Sequence, residues 1–241
     1  MKHVCWILLI CILSLSIVLF LPSCGDSSDD DDDKKTSYGP FYVSAGVTYN
    51  HPSTGFTFAI ADVELSGTPN DDAVITVDAE NIPWDTNPGS GFYGLNDNTT
   101  FTFTEGTDVV FSAETGDGKY TVGSTLAMPY QPSVATPTTG GGPYDSTATL
   151  NITWGALTAT PQFIQVVIDA AYTVDANGYM AIISGASTSH QLPADILKSG
   201  TAGIFIRVLA GNRDGSLGSD AAEDSQFGVS NAGVSETIST Q

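Results

Sequence analysis

Chemistry has few places to reside in this chain. Of its three histidines, His3 lies at the N-terminus just before an apolar run, His51 precedes Pro52 in a turn, and His190 sits in the polar stretch Ser187-Thr188-Ser189-His190-Gln191. A serine hydrolase needs an imidazole held between a hydroxyl and a carboxylate. Serines and aspartates are plentiful, but no nucleophile-elbow pattern accompanies them. His51 and His190 therefore read as surface or strand residues, no catalytic residue is assigned, and the chain reads as a non-enzyme. Cation ligands concentrate in one loop that carries Asn212, Asp214, Asp220, Glu223 and Asp224. Oxygen donors in a glycine-rich loop suit a structural Ca²⁺, with Asp214, Asp220, Glu223 and Asp224 as the candidate ligands. The spacing is not that of an EF-hand, because Leu217 stands at the sixth position counted from Asn212, where that loop needs glycine for its turn. Asp175-Ala176-Asn177-Gly178 is a second, shorter cluster. The same residue types also make ordinary turns. A third possibility is stacking. The segment from Asn81 to Tyr93 places Trp84, Phe92 and Tyr93 among prolines and glycines. Exposed, these rings would stack on a sugar or a peptide; buried, they would plug the end of a sandwich.

The cysteines point to the cell envelope. Met1-Lys2-His3 is followed by an apolar run from Val4 to Leu21, interrupted only by Ser14 and Ser16, and then by Leu21-Pro22-Ser23-Cys24. A basic start, an apolar run and a small residue before a cut form the secretory pattern. Leu21, Ser23 and Cys24 resemble the lipobox of bacterial lipoproteins. The resemblance implies that residues 1–23 are a signal peptide and that Cys24 is lipidated on sulfur, becomes the new N-terminus and is then acylated. An uncleaved membrane-spanning helix is the alternative, and it leaves the position of Cys24 unexplained. Cys5 and Cys11 fall in the leader, so the mature fold has no disulfide, thiolate metal site or cysteine nucleophile. Residues 25–35 read Gly-Asp-Ser-Ser-Asp-Asp-Asp-Asp-Asp-Lys-Lys. Like charges without apolar residues self-repel and stay extended, so residues 24–35 form a disordered acidic tether. Serine and an aspartate run after the cysteine also resemble the surface-export signal of Bacteroidetes lipoproteins; a plain solvated spacer is the alternative. The expected location is the bacterial cell envelope, at the outer membrane, facing outward or into the periplasm.

Composition narrows the classes further. Charged residues are 14%, with 27 acidic against 7 basic side chains and a net charge of −20. Such a chain repels phosphate backbones, which excludes sequence-independent nucleic-acid binding. No cofactor fingerprint occurs, so no cofactor is expected beyond the possible Ca²⁺.

Elements of period two must position these residues. From Thr36 onward no helical pattern exceeds two turns, and alternating runs recur between turn residues, which predicts an all-β fold. Phe56, Phe58 and Ile60 alternate with Thr57 and Ala59, then the phase slips to Val63 and Leu65, so a bulge is expected near Ala61-Asp62. Residues 73–77 and the Phe101/Phe103 pair read as further strands. Val109, Phe111 and Ala113 face Tyr120 and Val122 across Glu114-Thr115-Gly116-Asp117-Gly118, a hairpin signature. Prolines and glycines from Met128 onward place a boundary near residue 131, giving two tandem antiparallel β-sandwiches, residues 36–131 and 132–241.

In the second of these, Leu150, Ile152 and Trp154 alternate, as do Ile164, Val166 and Ile168, and Ile204, Ile206 and Val208. A strand ending in Trp154, a Leu192 and Leu197 pair before the Lys198-Ser199-Gly200-Thr201 turn, and strands at 204–210 and 227–231 resemble a fibronectin type III domain. The resemblance covers roughly residues 133–238 and implies an immunoglobulin-like sandwich with Trp154 buried. The loop from Asp214 to Gln226 is longer than the family's, and the tyrosine that usually opens the penultimate strand is absent. The functional expectation is a membrane-anchored, surface-exposed lipoprotein that acts as a non-catalytic binding, adhesion or spacer module. Its partners would be the bilayer, through acylated Cys24, and a protein or glycan. The alternative is an accessory carbohydrate-binding lipoprotein of a polysaccharide-uptake system.

Overall fold

The computed structural model describes residues 39–50, 57–85, 92–96, 101–138 and 140–241, and no helix occurs among them. The chain is all-β. Its strands are β1 (Phe41–Asn50), β2 (Thr57–Leu65), β3 (Thr68–Pro69), β4 (Val74–Val77), β5 (Glu80–Asn81), β6 (Tyr93–Asn96), β7 (Asp108–Glu114), β8 (Thr121–Ala127), β9 (Val134–Thr136), β10 (Leu150–Trp154), β11 (Phe163–Ile168), β12 (Tyr179–Ser184), β13 (Ser189–Leu192), β14 (Ile204–Asp214) and β15 (Gln226–Ile238).

One sheet of eight strands organises the molecule. Its order is β12-β11-β14-β15-β1-β2-β3, with β6 also paired to β2. Two smaller sheets, β5-β4-β7-β8 and β13-β10-β9, each close a core against it. The first core joins Val43, Ala45, Val47, Ala59, Ala61 and Val63 to Ile75, Val77, Val109, Phe111 and Ala113. The second joins Ile164, Val166, Ile168, Ile204, Ile206 and Val208 to Ile152, Trp154 and Leu192. The second core therefore lies between a three-strand sheet, β9-β10-β13, and four neighbouring strands, β12-β11-β14-β15. That is a seven-strand, fibronectin type III-like sandwich, with Trp154 buried in it as the sequence implies.

Both cores sit on the same face of the large sheet. Across the β14–β15 ladder, Asp214 opposes Phe227, Asn212 opposes Val229, Ala210 opposes Asn231 and Val208 opposes Gly233. Directly opposed residues share a face, and so do alternate residues along a strand. Phe227 and Val229 enter the first core and Val208 and Ala210 the second. A 13-residue strand spans roughly 40 Å, enough for β15 to cross from one core to the other. Its first part pairs in parallel with β1, Ser44 to Asn50 against Gln226 to Ala232. The remaining ladders of the large sheet are antiparallel.

This arrangement departs from a serial reading of residues 36–131 and 132–241. Leu217, Ala221, Phe227 and Val229 belong to the first core although they lie far along the chain. Phe227 stacks on Phe111 with ring centroids 4.6 Å apart and planes 11° from parallel. The long loop after Asp214 is thus the tip of an extended β14–β15 hairpin.

Two local expectations are also corrected. β2 carries no bulge at Ala61-Asp62: its register with β1 runs unbroken from Phe41↔Leu65 to Tyr49↔Thr57. Thr57, Ala59, Ala61 and Val63 face the core, while Ile60, Asp62 and Glu64 are half-buried on the other face. The larger apolar residue points outward, because the stacked aromatics supplied by β7 and β15 fill the interior. Phe101 and Phe103 are buried but form no strand; their rings stack on each other at 5.5 Å. The Glu114-to-Gly118 turn does close the β7–β8 hairpin, with Gly118 at φ +70°, where a side chain would be strained.

Candidate functional site

The anchor residue Cys24, the leader and the acidic tether lie outside the described residues, as does His51. No helix among the described residues is long and apolar enough to cross a membrane.

His190 sits on β13 opposite Ile152, and its Nε2 lies 2.7 Å from the hydroxyl of Tyr179. Tyr179 belongs to β12, so the pair spans the side of the sandwich from one sheet to the other. Burial lowers the pKa of the imidazole and raises that of the phenol. The partner of His190 is thus a phenol, and the imidazole, hydroxyl and carboxylate that a hydrolase requires are not brought together around it.

The four carboxylates offered for Ca²⁺ are dispersed along the hairpin tip. Asp214 accepts from the Ser124 hydroxyl at 2.7 Å through Oδ2 and from the Ser216 amide at 2.8 Å through Oδ1. Asp220 Oδ2 accepts the Thr121 amide at 3.0 Å. Asp224, at φ +66°, lies on the side of Tyr42. Burial chiefly raises the pKa of that phenol, a hydrogen bond with Ser44 opposes the rise, and the charges of Asp62, Glu64 and Asp224 add to it. Glu223 is exposed. Among the described residues, no three of His, Cys, Asp and Glu are grouped to hold a metal ion. The described residues thus offer the Ca²⁺ expectation no grouped set of ligands. Asp214 and Asp220 fasten the hairpin tip to β8, and the turn-forming role of Asp and Asn accounts for the abundance of these residues. Asp175 likewise closes its own turn by accepting the Asn177 amide at 2.9 Å.

In the aromatic segment, the geometry is that of the sandwich-end plug. Tyr93 is 2% exposed, and its hydroxyl donates to the Asn70 carbonyl at 2.9 Å. Burial first, then the charges of Asp72 and Asp71, push its pKa up to about 12 against a lowering hydrogen bond from Ala73. Trp84 meets Tyr93 edge to face at 5.0 Å and packs against the first core. Phe92 is half-buried, with its ring over Gly94. The three rings do not form one exposed platform. Two short strips, held by Gly94 N–H to the Pro83 carbonyl and Asp85 N–H to the Phe92 carbonyl at 2.9 Å, turn Trp84 and Tyr93 toward the interior.

A polar junction between the two cores had no signal in the sequence. Asn231, 1% exposed, donates through Nδ2 to Glu105 Oε1 at 3.1 Å and to the Pro129 carbonyl at 2.9 Å. The Gln131 amide donates to the same Glu105 oxygen at 2.8 Å, and Gln131 Nε2 donates to the Ala232 carbonyl at 2.7 Å. Asn212 Nδ2 donates to the Ala127 carbonyl at 2.8 Å. These bonds hold the linker between β8 and β9 against the β14–β15 ladder. In the second core, Lys198 caps the Ala170 and Ala171 carbonyls at 3.1 and 3.0 Å, and Arg207 pairs with Asp169. Both cations are therefore engaged in holding loops. The exposed apolar residues include Val174, Ile182 and Phe205, and Tyr172 meets Phe205 edge-on at 6.5 Å.

No family model and no curated protein matches the sequence. Among solved structures, the chain is similar to the FN1–FN3 domains of chicken CNTN1, with 17% identity, 85% of this chain and 69% of that chain covered, and a TM-score of 0.28. It is also similar to a tetra-tandem repeat in the extending region of a large adhesion protein, with 14% identity, 80% and 49% coverage, and a TM-score of 0.20.

Proposed function

We propose that this chain is a lipid-anchored protein of the bacterial cell envelope that acts as a non-catalytic binding or spacer module. The acylated residue is Cys24, and residues 25–35 form the tether between the bilayer and the fold. One observation carries the spacer reading: the β14–β15 ladder runs through both cores, so the two sandwiches form one continuous body. The chain enters β1 beside the hairpin tip, where Gly39 N–H bonds to the Ala221 carbonyl at 2.8 Å. The far end of β15 lies at the second core, with Ile238 opposite Ile204. A tether at residue 39 therefore holds the first core toward the membrane and carries the second core outward. The outer core offers strand edges and loops for contact. The inward packing of Trp84 and Tyr93 weighs against the sugar-platform alternative.

Cell fractionation of Cys24→Ala tests the anchor. The expected result is loss of membrane association and loss of incorporated fatty acid. A Cys24→Ala chain that stays in the membrane fraction would overturn the reading.

A further inference from the structure

We infer that β12 is a pairing edge through which two copies of this chain join their large sheets into one. Among the described residues, the other sheet edges are short, covered or, on the side of β15 left without a partner beyond Ala232, interrupted by Glu236. β3 and β5 have two residues each, and β3 ends in Pro69. β9 has three residues and β13 four. The outer side of β8 is occupied by the hairpin tip, with Gly123 N–H bonded to the Leu217 carbonyl at 3.1 Å. β6 is lined by residues 83–85. β12 is the exception. Its six residues, Tyr-Met-Ala-Ile-Ile-Ser, contain no proline and no charged side chain. It pairs with β11 on one side, and no strand is registered on the other. An uncharged strand with an open row of N–H and C=O groups is a template for a further strand.

The strand is its own best complement. Opposed residues share a face, so the β11 partners divide β12 into two sets. Met180 and Ile182, opposite Val167 and Gln165, lie on the outer face; Tyr179, Ala181 and Ile183, opposite Ile168, Val166 and Ile164, lie on the core face. An antiparallel pair centred on Ala181 sets Met180 against Ile182 of the second copy, and Tyr179 against Ile183. Every contact is then apolar, and Ile182, now 52% exposed, is covered. Charge selects the same place. With a net charge of −20, two copies repel wherever acidic surfaces meet. At β12 the strand is neutral, and the nearby Arg207 is already balanced by Asp169.

The test uses the full chain in membranes of the expressing cell. Met180→Cys and Ile182→Cys are introduced together, which places a thiol of one copy opposite a thiol of the other at a Cβ separation of about 4.5–5.5 Å, near disulfide range. Mild oxidation is expected to give a species of twice the chain mass that contains only this chain. Its yield should exceed by about tenfold that of Val74→Cys with Val110→Cys, an exposed pair on another sheet, since random collision has no edge to align it. A yield no greater than that control would overturn the inference, as would an adduct to a different protein. In mild detergent, the native chain is expected at twice the mass of Ile182→Lys, which places a charge on the edge; equal masses would also overturn it. The detergent comparison reads mass whether or not Cys24 is acylated, so it stands apart from the fractionation test.

Discussion

The carbonyl oxygen of Pro132 lies 1.8 Å from where a Cβ on Gly233 would stand. The linker between the cores therefore rests directly on the backbone of β15, and only a glycine allows it. Gly233→Ala must push the linker away and disturb the neighbouring bonds of Gln131 and Asn231. Overpacking of this kind costs about 1–3 kcal/mol. Urea unfolding is expected to show the loss as a lower midpoint, and an unchanged midpoint would show that the linker is not held there.

Phe227 belongs to the first core although it lies near the chain's end. Phe227→Ala removes the ring stacked on Phe111 and is expected to cost about 3–5 kcal/mol. A fragment of residues 36–131 lacks Leu217, Ala221, Phe227 and Val229 together with the strand beside β1. That fragment is expected to lack a cooperative thermal transition by circular dichroism. A sharply melting fragment would contradict the shared core.

Where the signal is local, it was legible. The Asp117-Gly118 hairpin and the strands through Leu150–Trp154 and Ile164–Ile168 follow from alternation and turn chemistry, and the burial of Trp154 follows from the resemblance to a fibronectin type III domain. β1 carries an equally legible alternation, Phe41, Val43, Ala45 and Val47 with Tyr42, Ser44, Gly46 and Thr48. The phase of β2 was not legible, because Ile60 is apolar yet faces outward while Ala59 and Ala61 face in. Only the aromatic volume arriving from β7 and β15 settles that choice. The parallel pairing of β15 with β1 has no local signature, since alternation shows which face is buried but not which strand lies alongside. The candidate sites are ambiguous for a related reason. Asp and aromatic residues that could bind a ligand are the same residues that cap turns and close sandwich ends.

Tyr93 predicts a pH dependence at the alkaline side. An unfolded tyrosine ionises near 10, whereas Tyr93 in the fold does so at about 12. Within that window the unfolded chain has lost a proton that the folded chain keeps. Stability is thus fully present below the unfolded value and falls as pH rises through the window. Tyr93→Phe is expected to flatten that fall, at a cost of about 0.5–1.5 kcal/mol near neutrality from the lost bond to the Asn70 carbonyl. Denaturant midpoints across the range measure both effects, and an unaltered slope in the variant would refute the assignment.

Asp220 predicts a structural rather than a metal-binding effect. Its carboxylate holds the Thr121 amide, a charge-assisted bond of about 1.5–3 kcal/mol. Asp220→Ala is expected to lower the melting temperature by the same amount in calcium and in chelator. A deficit confined to calcium-containing buffer would restore a cation to this loop.

The parallel run of β1 beside β15 has a mechanical consequence. In a chain held by Cys24, drag on the outer core draws β1 toward the bilayer and β15 away from it, along a common axis. The ladder from Ser44 to Asn50 is then loaded in shear, with its bonds sharing the force instead of parting one after another. A hairpin pulled from its open end would unzip; this joint would have to slide as a whole.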